Sequence, residues 1–146
     1  MTSSSAPCPL CETPTSPPLW HDARCLVVLA GDPQYPGFCR VVWKQHVSEM
    51  TDLPEPDRAH LMQVVFRVEC ALRELLEPTK INLASLGNHV PHLHWHVVPR
   101  FSDDAHFPDS VWARQHRQGR LRIVDPRRLG ESLTEKLGPA IATSRA

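Results

Sequence analysis

From His92 to Val97 the chain alternates without a break: histidine at 92, 94 and 96, with Leu93, Trp95 and Val97 between them. A period of two marks a strand with one buried face. Successive strand side chains point to opposite faces. The pattern therefore predicts His92, His94 and His96 on one face at steps of roughly 6.6 Å, with the apolar three on the core side. Residues 19–22, 25–30 and 38–43 read as three earlier strands, and residues 80–86 as a fourth, with Gly87-Asn88 turning into the histidine strand. Residues 31–37 are dense in turn formers and predict an exposed loop. Between the third and fourth strands the period lengthens. Leu61, Val64, Val65, Val68, Leu72, Leu75 and Leu76 recur at helical spacing and form one broad apolar stripe for core packing. That helix is predicted to start near residues 52–55, where Asp52 and Glu55 have capping-box spacing and Pro54 suits a first turn, and to stop at Pro78. Beyond Pro99 the signal fades into a loop over 101–108, a short helical turn at 111–114 and a terminal helix from Pro126 to about Leu137.

The 146 residues suffice for one domain with a real core, and no internal repeat marks a second. Sixteen basic residues balance sixteen acidic ones, which argues against a general nucleic-acid or membrane-surface binder. The apolar run 26–30 is far too short to span a bilayer. The first six residues lack the basic start and apolar stretch of a signal peptide, so a cytoplasmic location is expected. In that compartment the five cysteines, odd in number, read as thiols or metal ligands and not as a disulfide framework. Pro7, Pro9, Pro14, Pro17 and Pro18 leave no room for a helix or central strand at the start of the chain. Residues 1–7 are expected to be disordered, 8–101 to form the core and 102–146 a C-terminal extension. Arg114, Arg117, Arg120 and Arg122 in that extension read as a solvated basic face, with phosphate contact as the alternative.

Three imidazoles on one strand face change the picture. Each needs a hydrogen-bond partner and each can titrate near neutrality. The residues by themselves support a metal site, or nucleophilic catalysis in which a histidine attacks an electrophile and forms a covalent intermediate. Cys8-Pro9-Leu10-Cys11, in an irregular segment, can place two thiolates on a tetrahedral zinc; a redox pair lacks the surrounding βαβ pattern, and two unconnected thiols are the plain alternative.

His92-Leu93-His94-Trp95-His96-Val97-Val98, followed by Pro99-Arg100-Phe101, resembles the signature of the histidine-triad superfamily and its bacterial members, over roughly residues 8 to 101. Histidine at 96, where the uridylyltransferase branch has glutamine, favours the hydrolase side. The resemblance implies that His94 is the nucleophile at an α-phosphate, with one ring nitrogen attacking and the other donating to a backbone carbonyl. It implies that His96 contacts the phosphoryl group and helps proton transfer. For His92 it implies either orientation of the nucleophile's surroundings or, as in zinc-bearing members, ligation of a structural zinc together with Cys8, Cys11 and His46. His46 also matches a position in the histidine relay of metal-free members; the Cys8-x-x-Cys11 pair favours zinc. Asn82 resembles the asparagine that meets phosphate or ribose. Asn88 and His89 stand where many members have glutamine and a serine or threonine facing the leaving group, and Asp32 stands near the ribose-contacting position. Trp112 is a candidate cover for the base, or a packing residue.

The fold expected is α+β: an antiparallel sheet of about five strands with one long helix and a shorter C-terminal helix. The resemblance implies a homodimeric enzyme hydrolysing or transferring nucleotides. Its substrate would be a purine nucleotide, either a dinucleoside polyphosphate or a nucleoside phosphoramidate. No organic cofactor, nucleic acid or membrane is expected. Two alternatives are a hydrolase using the histidines as a catalytic metal site, and a non-catalytic nucleotide-binding module.

Overall fold

The computed structural model describes residues 7–14 and 16–141; the expectation of disorder falls, apart from Pro7, outside them. Its longest element is α1 (Glu55–Leu76). Pro54 precedes it in extended conformation, and Glu55 and Asp57 in the first turn suit the positive end of the helix dipole. Asp52 does not cap this helix. It belongs instead to a capping box with Glu49 on a separate 3-10 turn, Met50–Asp52, because Leu53 and Pro54 return to extended backbone before α1 begins. The helix ends at Glu77, which takes the left-handed conformation (φ 46°) ahead of Pro78.

Five strands follow the expected positions: β1 (Trp20–His21), β2 (Cys25–Leu29), β3 (Cys39–Trp43), β4 (Lys80–Ala84) and β5 (His94–Arg100). They form one sheet in the order β1-β2-β3-β5-β4, antiparallel throughout. Residues directly opposite one another across antiparallel strands share a face. On one face Cys25, Val27, Val41, Ile81 and Val97 meet Leu61, Val64, Val65, Val68 and Leu72 of α1, all buried. Leu93 joins this core and Trp95 packs against it, as the alternation predicted.

The register sets the other face in rows. Leu26 lies opposite Val42, which lies opposite His94; Val28 lies opposite Arg40, which lies opposite His96, which lies opposite Ala84. Residues 102–141 of the C-terminal extension are tied to the domain. A second helix, α2 (Pro126–Leu137), packs on α1 and β1 and buries Leu129 and Leu133. The loop before it returns to the end of β5, where Gly119 comes so close that a Cβ there would sit 2.5 Å from the Ala105 nitrogen. No helix among the described residues is long and apolar enough to cross a membrane.

Candidate functional site

The three histidines do not share one strand face. Strand β5 starts at His94; His92 and Leu93 stand before it, held by backbone bonds from Leu93 N–H to Val47 O (2.7 Å) and from Trp43 N–H to Leu93 O (3.1 Å). The irregular backbone turns the His92 ring away from its neighbours. His94 and His96 remain together, ring centroids 4.8 Å apart and both buried. His94 Nδ1–H donates to the carbonyl of His92 at 2.6 Å, which leaves Nε2 with its lone pair. The His92 carbonyl is thus the backbone acceptor expected for a nucleophile. Ser85 Oγ–H donates in turn to the His94 carbonyl at 2.9 Å. Burial, then His94, then Arg40 hold His96 down to about 4, so its ring is neutral near pH 7. Phe38 and Trp112 meet that ring edge-on at 5.5 and 5.0 Å, and Trp112 stays half exposed.

The His92 ring joins Cys8, Cys11 and His46. Its Nδ1 lies 3.4 Å from Cys8 Sγ, 3.5 Å from Cys11 Sγ and 3.1 Å from His46 Nδ1; Cys11 Sγ lies 3.3 Å from His46 Nδ1. All four donor atoms fall within 4.8 Å of one another. A tetrahedral Cys2His2 zinc with ordinary bond lengths separates its donors by roughly 3.3–3.8 Å, so the cluster is of the right size for one. His92 Nε2–H donates to the Trp43 carbonyl at 2.6 Å, fixing the tautomer that turns the Nδ1 lone pair to the cluster. Desolvation and the adjacent Cys8 raise the Cys11 thiol, a penalty that a divalent cation at this point removes.

A second group, Asp22, Cys25 and His60, has a different character. His60 Nε2 and Asp22 Oδ2 are 2.6 Å apart, too close to admit a metal between them, and burial pushes the Cys25 thiol far up. Among the described residues no third metal donor joins His94 and His96.

Asn82 lies on the histidine face, one row beyond His96, opposite Val98. Its Oδ1 accepts from Arg100 Nη1 at 2.8 Å. Arg100 is fully buried and forks onto Asp104 at 2.8 and 3.0 Å, with Nη2 also donating to the Asp109 carbonyl. Burial works against the Asp104 charge, but Arg100 and the Phe101, His106 and Phe107 amides hold its carboxyl well below the usual range. Tyr35 O–H donates to Asp104 at 3.1 Å and sits 2.6 Å from His106 Nδ1; burial, then Asp104, push the phenol up to about 12. Arg100 offers only donors, so Asn82 must turn its oxygen to it and its amide donors the other way. Asp32 folds into its own turn, accepting from Gln34 N–H at 2.9 Å. Asn88 and His89 are exposed on the loop between β4 and β5, outside strand β4, which stops at Ala84 and not at residue 86.

Three further features escaped the sequence reading. A cleft of about 950 Å³ lies on the same sheet face as His94 and His96 but is lined by neither; Leu26, Val28, Ala30 and Val42 form its floor, and Pro14, Pro17, Pro18, Leu19 and Gly130 wall it. Arg40 stands between that floor and His96; the Nε of its guanidinium is buried with no hydrogen-bond partner. Its position in a short strand marked it only as one polar residue among apolar ones, and matching faces across β2, β3 and β5 was the signal needed. Third, two of the extension's four arginines serve the fold: Arg117 donates to the Asp104 and Phe107 carbonyls, and Arg122 pairs with Asp103 over the Phe101 ring, while Arg114 and Arg120 are exposed.

Comparison with known proteins agrees with this geometry. AP-4-A phosphorylase of Mycobacterium tuberculosis (strain ATCC 25618 / H37Rv) is 32% identical over 108 residues, 64% of this chain and 55% of that protein. The chain therefore spans about half the length of the curated relatives it matches. A histidine triad protein from Bradyrhizobium japonicum superposes with TM-score 0.67 at 30% identity, covering 83% of this chain and 90% of its own. A histidine triad (HIT) protein from Sinorhizobium meliloti 1021 gives TM-score 0.66 at 27% identity, with 82% and 88% covered. The family model of the HIT domain matches residues 15–103. That match spans every strand of the sheet, and the chain belongs to the HIT domain family.

Proposed function

We propose that the protein is a nucleotide hydrolase or nucleotidyl transferase that cleaves at the α-phosphate through a covalent nucleotidyl-histidine on His94. The observation that carries this reading is the hydrogen bond from His94 Nδ1–H to the His92 carbonyl, which fixes a buried ring and leaves Nε2 as the nitrogen placed to attack. In the first step the His94 Nε2–P bond forms and the bond from phosphorus to the leaving group breaks. In the second, water adds to phosphorus and releases a proton to solvent, the P–N bond breaks, and the electron pair returns to Nε2. Asn82, its amide donors turned away from Arg100, supplies hydrogen bonds to phosphate or ribose. The cleft over Leu26 and Val28 seats the nucleoside, its apolar floor suiting a purine. Asp32, Asn88 and His89 are assigned to the substrate's periphery. The similarity to an AP-4-A phosphorylase supports a dinucleoside polyphosphate, and a nucleoside phosphoramidate is the other class considered.

Cys8, Cys11, His46 and His92 hold a zinc in the same proposal. When bound it supplies rigidity, since four protein ligands leave no position for water. The chain acts as a homodimer: β4 closes the sheet with one unpaired edge among the described residues, and Phe66 stands half exposed on α1. Light scattering of the purified protein tests that pairing.

The mechanism is tested by hydrolysis of a chiral thiophosphate substrate in labelled water. Two in-line displacements give net retention at phosphorus. Inversion would point to direct attack by water and remove His94 as nucleophile.

A further inference from the structure

Among the described residues of the histidine face two cations lack a carboxylate partner: exposed Lys80 at the edge of the sheet, which turns its Nζ to the Ile81 carbonyl, and Arg40, beside His96. Arg100, its fellow on that face, spends its donors on Asp104, Asp109 and Asn82. Arg40 forms no ion pair with any carboxylate of the described residues, and its Nε is buried without a partner. A partly buried guanidinium left this way costs stability unless something anionic arrives to meet it. Its place is defined by register: opposite Val28, which floors the cleft, and opposite His96. It stands in the row of His96 and not in the row of His94.

We infer that Arg40 is the anchor for an anionic leaving group, and that it selects dinucleoside polyphosphates over nucleoside phosphoramidates. This rests on the reading of His94 as nucleophile. When the His94 Nε2–P bond forms, a polyphosphate leaves with the electron pair on oxygen and the Arg40 charge stabilises it directly. An amine leaving group must instead acquire a proton. The same cation repels the ammonium that forms and disfavours the imidazolium that would donate. The neutral state of His96, to which Arg40 contributes after burial and His94, fits a reaction that asks no proton of it.

The test compares wild type, Arg40→Gln and Arg40→Lys on diadenosine tetraphosphate and on adenosine phosphoramidate. Wild type should prefer the tetraphosphate. Arg40→Gln should lower kcat/KM on it by roughly 10- to 100-fold, with less than about a threefold change on the phosphoramidate, and Arg40→Lys should recover part of the loss. Equal losses on both substrates, or a wild-type preference for the phosphoramidate, would overturn the assignment. Inorganic tripolyphosphate serves as an independent probe of the anchor. It should bind wild type in a salt-sensitive way and fail to bind Arg40→Gln, whose thermal transition should not fall, since an unpaired and partly buried charge is removed. If neither substrate turns over while tripolyphosphate binding still depends on Arg40, the anchor stands and the hydrolase reading falls. Wild type that ignores tripolyphosphate removes the anchor.

Discussion

On the α1 side of the sheet, Val27, Val41 and Val97 meet Leu61, Val64 and Val68, and no charged group intervenes. On the other side Arg40, His94, His96 and Arg100 occupy equivalent positions of the same strands, and most of the cover comes from irregular segments, Ser16 to Leu19 and the loop after β5, with the first turns of α2 joining the cleft wall. A regular helix can bury an apolar face but offers almost no spare backbone donors or acceptors. Loops can, and here the 101–109 loop satisfies Arg100 through the Asp104 carboxylate and the Asp109 carbonyl. The face that holds the chemistry is therefore stabilised by polar bonds from non-repetitive chain, while the opposite face is held by packing.

Substitutions that separate these two modes should differ in kind. His94→Asn should cut turnover by roughly four orders of magnitude while circular dichroism and nucleotide binding stay unchanged. Leu72→Ala, on the packed side, should do the reverse, lowering the thermal midpoint by about 5–15 °C with kcat preserved below it. A His94→Asn protein that keeps substantial activity breaks the comparison at its root.

Arg100→Met should approach the core variant in severity, because an unpaired Asp104 then remains buried, at a cost of about 3–5 kcal/mol. The pH dependence identifies the cause. The Asp104 carboxyl is depressed in the folded state, so its contribution to stability is complete above about pH 4 and is lost as pH falls below the ordinary carboxylate range. Acid unfolding of wild type should show that loss, and Arg100→Met should show much less of it.

Cys11→Ser should abolish stoichiometric zinc and lower the thermal midpoint by roughly 10 °C, with kcat on the remaining folded protein changed far less. Freshly purified, untagged wild type should carry about one zinc per chain. Metal-free protein that zinc does not stabilise returns His46 and His92 to a relay role.

Smaller effects lie at the edge of the site. The His96 ring should titrate with a midpoint near 4 in an NMR experiment, so stability declines as pH drops from about 6.5 toward 4, the span in which the unfolded chain binds a proton and the folded one does not. Asn82→Ala should reduce kcat/KM by about tenfold, one charge-assisted contact being lost. Asp32→Ala should raise KM a few-fold and leave kcat alone; an unchanged KM reduces Asp32 to the turn it already makes.

What the sequence disclosed tracks this division. The α1 stripe, the strand positions and the Cys8–Cys11 pair were legible because repeat spacing and residue type carry the signal there, whereas His46 and His92 joined that pair only through the family resemblance. Strict alternation misplaced His92, since backbone bonds to Val47 and Trp43 hold the chain out of the ladder just before His94. The capping pattern at Asp52 was real but served the preceding 3-10 turn. The Arg100–Asp104 pair stayed hidden because its donors and acceptors come from a loop without periodicity. Arg40 stayed hidden because its meaning depends on what lies opposite it in two other strands.

The acceptor that holds His94 is the main-chain oxygen of His92, a group every amino acid possesses. The imidazole at 92 can therefore be exchanged over evolutionary time without disturbing the tautomer of its neighbour. Its retention is bound up with the thiols of Cys8 and Cys11 instead. A substitution at 92 that removes the imidazole would thus open the Cys8–Cys11–His46 cluster while leaving the main-chain acceptor of His94 in place.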